Sequence, residues 1–353
     1  MQGLIEVIDG GLGNSIQDAG RFGFRHMGIT VSGCLDAMLA RCANALVGNT
    51  PDCAGIEIRG AGPTLEVKQG RVRLALAGEI SATLRRASGK SLDVPAWASV
   101  SLDPHDVLEI GYLPGGTAFL AVAGGIDSPL QLGSRSTYQR ALIGGIDGKP
   151  IVTGNLLPCT AQLRREQHEY RGDPWRDSCH SEAPIRVMLG PQEGHFKPES
   201  VVQFLGSEYQ VTTQIDRMGV RLDGVPLVHA SPEAADIVSD GVTPGVIQVP
   251  GNGQPIILLA DCQTVGGYPK IATVITADLP RLAQLRPGQT VRFAAVTAAQ
   301  AKHALLEREN AWNWWAYGVT FDLPSATINT DLTGGWPLPD CRCFEEENHG
   351  STT

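Results

Sequence analysis

The chain has 353 residues, a formal net charge of −9 at pH 7, and 18% charged residues against 42% hydrophobic ones. A chain of this length can bury a sizeable core and suggests two domains, and its hydrophobic content argues against disorder. Its negative charge, without any basic run, argues against a nucleic-acid partner or an anionic membrane surface.

No apolar segment approaches the roughly 20 residues that a membrane-spanning helix needs. The N-terminal sequence MQGLIEVIDGG has no basic region before its first acidic residues, which argues against a secretory signal peptide. We therefore expect a cytoplasmic protein with no membrane partner.

Glycine (42 residues) and proline (23 residues) are plentiful, which favours many short strands joined by turns. In the first half, short apolar segments bounded by turn residues predict strands at 4–8, 56–58, 64–67, 72–77, 82–84, 100–102, 107–110 and 117–122. Strands at this spacing indicate a β-barrel or a β-sandwich.

Residues 163–183 are polar and charge-dense, and we interpret them as a linker between two β-rich domains. The predicted organisation is an N-terminal β domain, the linker, a C-terminal β domain and an irregular acidic tail, at 1–162, 163–183, 184–317 and 318–353. Within the C-terminal domain, strands are predicted at 185–188, 246–249, 256–260 and 290–294.

A first helix is predicted over 33–47, because apolar residues recur there at three- and four-residue spacing. Ser32 is its expected N-cap and Asp36 falls in its first turn, where the helix dipole favours a negative charge. A short helix is also predicted near 198–205.

Two further helices are predicted from their start signals. Asp278 is expected to cap a short helix beginning at Pro280. Thr297 and Gln300 have the spacing of a capping box for a last helix, which we expect to end near Trp315.

Eight cysteines occur without any C-x-x-C pair, in a chain too large to need disulfide stapling. Cys34, Cys42 and Cys262 have apolar neighbours and are expected to be free buried thiols. Cys341 and Cys343 form a close pair, but no histidine is suitably spaced to complete a metal site. We predict no metal site.

The segment 15–36 is a long glycine-rich loop carrying the polar residues Gln17, Asp18 and Arg21. Such a loop is more often functional than not. The structural alternative is an ion pair between Asp18 and Arg21 that closes the loop on itself.

A second glycine-rich loop follows residue 124, in which Arg135 and Tyr138 offer groups suited to a carboxylate or a phosphate. The pair Gly148-Lys149 invites comparison with a phosphate-binding loop, but Pro150 follows it and the pattern fails. The glycine clusters do not match the dinucleotide-binding fingerprint either.

The segment 239–274 contains two short strands joined by a turn, and polar residues follow the second strand directly. We interpret this segment as one wall of an interdomain cleft, in which paired glycines allow positive φ and close approach to a ligand. The alternative is a hairpin whose polar groups only satisfy turn hydrogen bonds. The candidate residues are Gln248, Asp261, Gln263, Thr264, Gly266, Gly267, Tyr268 and Lys270.

Several segments together resemble one protein family: SIQDAGRFGFRHMGITVSGCLD, LAVAGGID, LGSRSTY, DRMGVRLDG and VIQVPGNGQPIILLADCQTVGGYPKIATV. It is the biotin-dependent carboxyltransferase / allophanate hydrolase subunit 2 (KipA-like) family, which includes the C subunit of the bacterial 5-oxoprolinase complex. The resemblance runs in order from about residue 4 to 295. It implies a mainly β fold of two cyclophilin-like β-barrel domains with a few short helices.

The resemblance also implies partners and an activity. The partners are a KipI-like subunit 1 protein, sharing the active site, and a LamB/YcsF-type subunit. The activity is ATP-dependent opening of the 5-oxoproline lactam to glutamate, with ATP and Mg²⁺ held by this chain or by a partner. For catalysis we predict charge stabilisation by Arg21, Arg135 and Lys270, and proton handling by Asp18 or Asp261. The predicted substrate-binding residues are Gln17, Arg135, Tyr138, Gln248, Gln263, Thr264, Gly266, Gly267 and Tyr268.

Two alternatives stay open. The chain could be the carboxyltransferase subunit of a biotin-dependent urea or amide carboxylase, or a regulatory subunit that binds a KipI-like protein without turnover. Three positions depart from the family pattern, Glu79, Lys149 and Asn155, and they put the inner-loop ligand contacts in question rather than the fold.

Overall fold

A computed structural model describes residues 2–160 and 182–320. Most of the predicted linker and tail, with Cys341 and Cys343, lies outside the described residues, so the domain boundaries stay predictions. No helix in the described ranges has the length and hydropathy needed to cross a membrane.

Residues 2–160 form two antiparallel sheets. The strands of the first sheet are β1 (Gln2–Asp9), β4 (Thr64–Gln69), β6 (Ser81–Arg85), β7 (Ser91–Pro95), β9 (Val107–Ile110) and β11 (Leu156–Thr160), in the order β11-β1-β4-β9-β6-β7. Those of the second are β2 (Ser15–Gln17), β3 (Gly55–Ile58), β5 (Val72–Ala77), β8 (Ala98–Leu102) and β10 (Ala118–Val122), in the order β2-β3-β10-β5-β8.

Strand β5 shows how the sequence divides its two faces. Successive strand residues point to opposite faces, so Leu74 and Leu76 join the core shared by both sheets. Ala75 and Ala77 on the other face pack with the first helix. The small alanine side chains let the helix backbone approach the sheet closely, so this strand is buried on both sides.

The second half forms a nearly closed barrel. Its strands are β12 (Ile185–Leu189), β13 (Tyr209–Ile215), β14 (Gly219–Gly224), β16 (Val246–Gln248), β17 (Ile256–Leu258), β19 (Lys270–Val274), β20 (Thr290–Val291) and β21 (Phe293–Ala295). They are ordered β20-β13-β14-β17-β16-β19-β12-β21. The two edge strands, β20 and β21, are separated in sequence by Arg292 alone, so the chain itself joins the two ends of the sheet. A separate two-stranded ribbon pairs β15 (Asp240–Gly241) with β18 (Val265–Gly266).

Four α-helices accompany the strands in the described ranges: α1 (Ala37–Leu46), α2 (Pro198–Gly206), α3 (Leu279–Ala283) and α4 (Ala298–Thr320). The expected N-cap of α1 was wrong. Asp36 holds that position, and its carboxylate accepts from the backbone N–H groups of Met38 and Leu39 at 3.0 and 3.1 Å. Ser32 instead has a left-handed backbone with φ of 53°.

The start of α3 is also held differently from the prediction. Asp278 stands at the N-cap position but makes no capping bond with its side chain. Its carboxylate accepts from Arg186 Nη2 at 2.6 Å and from the Arg186 backbone N–H at 2.8 Å. It therefore ties the helix start to strand β12.

Helix α4 packs the end of the described chain against the first half. Its predicted capping box is confirmed, since the Thr297 backbone N–H donates to Gln300 Oε1 at 2.8 Å. The helix continues to Thr320, beyond the predicted end. Trp315 meets Trp97 edge to face, with ring centroids 6.5 Å apart, and this contact places α4 against the core around α1.

The mainly β fold is confirmed, and every strand predicted in the first half is present. Within that half, the strands β2, β7 and β11 were missed. They are three to five residues long and lack a clear run of apolar, β-branched residues.

Replacing Phe204 with alanine should lower the free energy of unfolding by about 3–5 kcal/mol, because it empties a fully buried aromatic site. Phe204 stacks on Phe293 with centroids 4.6 Å apart and also contacts Tyr209. Equilibrium urea unfolding measures the change. Val202→Ala on the same helix is the control, since Val202 is exposed and should change stability by less than about 0.5 kcal/mol. Equal losses in both variants would contradict the packing assignment.

Candidate functional site

Asp18 lies at the centre of the first group of candidate residues. Its buried carboxylate accepts hydrogen bonds from Ser134 Oγ at 2.6 Å, Ser136 Oγ at 2.5 Å and the Arg135 backbone N–H at 2.6 Å. The Gly20 N–H donates to the same carboxylate at 2.9 Å. Asp18 therefore holds the two glycine-rich loops together, and its oxygens are engaged by the protein itself.

Arg21 performs a similar task from a fully buried position. Its Nε donates to the Gln131 carbonyl at 2.9 Å, and its Nη2 donates to the Ser136 carbonyl at 2.8 Å. Burial lowers the pKa of the guanidinium, while the negative charges of Asp18 and Asp261 oppose that shift. No direct Asp18–Arg21 ion pair forms within the described residues, so the loop is not closed in the way the structural alternative supposed.

The remaining candidates of the first half surround these two. Gln17 Nε2 donates to the Thr137 carbonyl at 3.1 Å. Arg135 Nη2 pairs with Asp127 Oδ1 at 2.8 Å. Burial, and then the charge of Asp261, raises the pKa of Tyr138. The Tyr138 hydroxyl therefore stays protonated at neutral pH and can donate a hydrogen bond.

Arg217 connects the two halves of the chain, and it was not predicted as a site residue. Its Nε and Nη2 donate to the two carboxylate oxygens of Asp261 at 2.9 and 3.0 Å. Its Nη1 donates to Glu57 Oε1 at 2.5 Å, and Nη2 also donates to the Gly33 carbonyl at 2.6 Å. Burial alone would lower the pKa of Arg217, but Glu57 and Asp261 outweigh it and raise the pKa.

Further contacts bring the first glycine-rich loop onto the 240–263 segment. Thr30 Oγ1 donates to the Ala260 carbonyl at 2.9 Å. Arg25 Nη2 donates to the carbonyls of Val242 and Gln263, the latter at 3.1 Å. The predicted wall of the cleft therefore lies against the loop that carries Asp18 and Arg21.

The second group of candidates lies around Lys270, which is buried. Its Nζ donates to the carboxylate of Asp240 and to the Gly241 carbonyl, the latter at 3.0 Å. The Lys270 backbone N–H donates to Gln192 Oε1 at 3.2 Å. Hydrogen bonding to the ammonium lowers the pKa of Asp240, so this carboxylate is ionised at neutral pH.

Gln248 is also buried, and its side chain lies close to the backbone of Gly266. Its Nε2 donates to the Tyr268 carbonyl at 3.2 Å, and its Oε1 accepts from Gln263 Nε2 at 3.3 Å. A Cβ on Gly266 would lie 2.5 Å from Gln248 Nε2. Neither Gly266 nor Gly267 uses the positive φ that glycine allows, and the close approach of the Gln248 side chain favours glycine at position 266.

Thr264 and Gly267 accept backbone hydrogen bonds beside the ribbon. The Thr264 carbonyl accepts from the Val242 N–H at 3.1 Å, and the Gly267 carbonyl accepts from the Ile237 N–H at 2.8 Å. They shape the strand end on which Gln263 and Tyr268 are displayed.

The departures from the family pattern take local structural roles. Glu79 pairs with Arg286 Nη2 at 2.7 Å and so links the two halves. Asn155 Oδ1 accepts from the Val152 N–H at 2.8 Å, and the Lys149 N–H donates to the Ile146 carbonyl at 3.0 Å. None of these contacts touches the candidate side chains.

The pocket described next lies away from the candidate residues, and the potential metal ligands among the described residues do not cluster. A pocket of about 460 Å³ lies away from the candidates, between Arg186, Val296 and the first turns of α4. Within residues 2–160 and 182–320, no group of three or more His, Cys, Asp or Glu side chains could hold a metal ion. Cys34 and Cys262 are free thiols, as predicted, although Cys34 is only partly buried, and Cys42 is buried.

The sequence also matches a known family over most of its length. Residues 27–295 match the family described as the carboxyltransferase domain, subdomain A and B. The chain belongs to this family. Its curated relatives include the 5-oxoprolinase C subunit of Escherichia coli, 35% identical over 89% of this chain and 98% of that protein. The corresponding protein of Haemophilus influenzae is 35% identical over 87% of this chain and 95% of its own length.

Longer proteins contain the same unit. A putative urea carboxylase of Emericella nidulans is 31% identical over 86% of this chain, which spans only 25% of that protein. The solved urea carboxylase of Kluyveromyces lactis superimposes with a TM-score of 0.78 and 26% identity, covering 90% of this chain and 29% of that one. Another solved relative, 32% identical with a TM-score of 0.71, covers 83% of this chain and 56% of its own.

Replacing Arg217 with methionine should lower the free energy of unfolding by about 3–5 kcal/mol, because it leaves Glu57 and Asp261 buried without their cation. Chemical denaturation measures the loss. The control is Arg85→Met, whose ion pair with Glu109 is exposed and should contribute less than about 1 kcal/mol. Similar losses in the two variants would show that the buried network is not required for stability.

Proposed function

We propose that this chain is the C subunit of an ATP-dependent 5-oxoprolinase complex, which opens the lactam of 5-oxoproline to glutamate. The observation that carries the proposal is the extent of the match. The chain aligns with 98% of the E. coli 5-oxoprolinase C subunit but with only 25% of the E. nidulans urea carboxylase. A relative of the same extent supports the same role better than one domain of a longer enzyme does.

The chemistry explains why cationic side chains would be needed. A lactam carbonyl is a poor electrophile, and phosphorylating its oxygen creates a leaving group. Fixed positive charge stabilises the transferring phosphoryl group. Arg21 Nη1 is buried and has no hydrogen-bond partner among the described residues, so the first group of residues fits an anionic group. ATP and Mg²⁺ enter the proposal as components of the whole complex, bound by this chain or by a partner.

The geometry refines the roles of individual residues. Lys270, Arg135 and the unpartnered Nη1 of Arg21 are the cationic groups we assign to substrate charge, and Tyr138 donates a hydrogen bond to a substrate oxygen. Asp18 and Asp261 each have both carboxylate oxygens engaged by neighbouring donors. We therefore assign both to positioning, in place of the proton handling expected for them from the sequence.

Carboxyl transfer is the second candidate, because the family itself is described as a carboxyltransferase domain. Biotin would then be carried by another segment or subunit. The same polar set would stabilise the oxyanion of enolised biotin, and the substrate would be urea or a related amide. A purely regulatory subunit would bind a KipI-like protein without either turnover.

One reconstitution separates these functions. The chain is mixed with the KipI-like and LamB/YcsF-type subunits from its own genome, and ATP- and 5-oxoproline-dependent release of glutamate is measured. Glutamate release only when all subunits are present is the expected result. Biotin-dependent carboxylation of urea without glutamate release would favour the carboxyltransferase, and stable binding without either reaction would favour the regulatory role.

Lys270→Met should abolish turnover in the reconstituted complex, because it removes the ammonium while keeping most of the buried stem. Glutamate release reports activity, and the thermal midpoint reports folding. Lys68→Met is the matched control, since Lys68 lies on the surface with Glu6 and Glu66 and should retain full activity. Normal turnover of Lys270→Met would remove Lys270 from the site.

Tyr138→Phe should reduce kcat by about 100- to 1,000-fold, because it deletes one hydrogen-bond donor at a developing negative charge. Steady-state kinetics of the complex measure the change, and Tyr112→Phe on the surface is the control. A loss confined to stability, with kcat unchanged, would contradict a role for the Tyr138 hydroxyl.

A further inference from the structure

The pocket of about 460 Å³ lies between strand β12 and the beginning of helix α4. Its volume falls within the range of small-molecule sites, roughly 300–1,000 Å³. Six of the seven residues that line it follow residue 295, where the match to the carboxyltransferase family ends. The pocket is therefore formed mostly by a segment outside the matched domain, and none of the candidate residues described above lines it.

The position of the pocket follows from how the sequence divides the faces of β12 and α4. Ile185 and Val187 belong to the core of the barrel, so Arg186 between them points outward. The lining residues of α4 recur at three- and four-residue spacing and so share one helix face. They are Gln300, His303, Ala304 and Glu307. The pocket is the space between this helix face and the outer surface of the barrel beside Arg186.

Part of the lining is apolar and fixed in place. Ala304 is buried with Ile275 and Ala277 in a small cluster, and Val296 packs against that cluster. These contacts hold the start of α4 on the barrel. Ala299, also in the lining, is small and exposed, so it leaves the pocket open. The carbon skeleton of a small ligand can therefore pack on Val296 and Ala304.

Arg186 supplies a cation in a defined position. Its Nε and Nη2 donate to the buried carboxylate of Asp278 at 3.2 and 2.6 Å, and its Nη1 has no hydrogen-bond partner within residues 2–160 and 182–320. Asp278 also pairs with Arg281 at 3.4 Å, so its carboxylate neutralises Arg186 only in part. Hydrogen bonding to Asp278 raises the pKa of Arg186, although burial opposes the shift. An anionic group can therefore bind at Nη1 while Asp278 stays in place.

Glu307 supplies the opposite charge in the same pocket. Its Oε1 lies 3.3 Å from Nε2 of His303, one helical turn earlier, and both side chains are exposed. The charge of Glu307 acts on Arg186, yet in the described part of the chain no direct ion pair joins the two. A cation and an anion therefore line one pocket with a gap between them that the protein's own side chains do not close.

We propose that this pocket binds a small zwitterion of the α-amino acid class. The carboxylate of the ligand accepts from Arg186 Nη1, its ammonium group donates to Glu307, and its side chain packs on Val296 and Ala304. An α-amino acid carries both charged groups on one carbon, so a single molecule contacts both partners through charge-assisted hydrogen bonds. A simple anion would bind Arg186 but be repelled by Glu307, and for a simple cation the reverse holds. This binding is independent of the proposed function, because its residues are separate from those of the proposed site.

Isothermal titration calorimetry of the full chain with L-alanine, L-leucine and L-glutamate tests the ligand class. At least one of these amino acids should bind and raise the thermal midpoint, because a ligand that bridges β12 and α4 stabilises the folded state. Acetate and ethylammonium, which carry one charge each, should bind at least tenfold more weakly. Absence of binding by all three amino acids at millimolar concentrations, or acetate binding as tightly as they do, would overturn the proposal.

Two variants test the location of the site. Glu307→Gln should weaken amino-acid binding at least tenfold, because it removes the charge that holds the ammonium group. Ala299→Trp should abolish binding by filling the pocket. Both positions are exposed, so the thermal midpoint without ligand should stay unchanged. Glu199→Gln, at an exposed position of α2, is the matched control and should bind like the wild type. Unchanged affinity in either pocket variant, or an equal loss in the control, would refute this location.

Discussion

The buried pairing of Arg217 with Glu57 and Asp261 is the interaction on which the rest of the site depends. Each of the three side chains belongs to a different part of the chain, and all are buried. Removing charges from water is expensive, and such a network persists only when each member is fully paired. Separating the two β-rich halves would expose these charges to water or leave them buried without a partner. The segment around Asp261 is therefore held against the first glycine-rich loop.

Two further features support the same arrangement. The barrel of the second half is nearly closed through Arg292, so its strand ends, including the one that carries Asp261, have little freedom to shift. Helix α4 then leaves the barrel and packs Trp315 on Trp97 of the first half, while Arg41 pairs with Glu309 at 2.8 Å. A site assembled from both halves is thus held in place by contacts away from the site as well as by those within it.

The sequence predicted what local patterns determine and missed what distant residues determine. Short apolar strands bounded by turn residues and the Thr297–Gln300 capping box depend on near neighbours, and both were found in the structure. The partners of Arg217 lie 44 and 160 positions away, so no local pattern could reveal them. Asp278 has a cap signal, but Arg186 captures its carboxylate. Gly266 was recognised as special, yet the reason, the approach of Gln248, exists only in three dimensions.

The ion pairs of the site fall into two kinds that differ in how readily they can exchange. Glu57 and Asp261 are buried on Arg217, and losing either would strand a charge. By contrast, Arg135 is paired with Asp127 and Lys270 with Asp240, and those two aspartates are 58% and 57% exposed at their side chains. Water solvates either aspartate once it is released, whereas the cation, which is buried in the case of Lys270, then needs another anion in its place. Under the proposed function, an anionic substrate group would take the place of Asp127 or Asp240, while Arg217 keeps the two halves together. On that proposal the buried network maintains the architecture, and Arg135 and Lys270 bind the ligand.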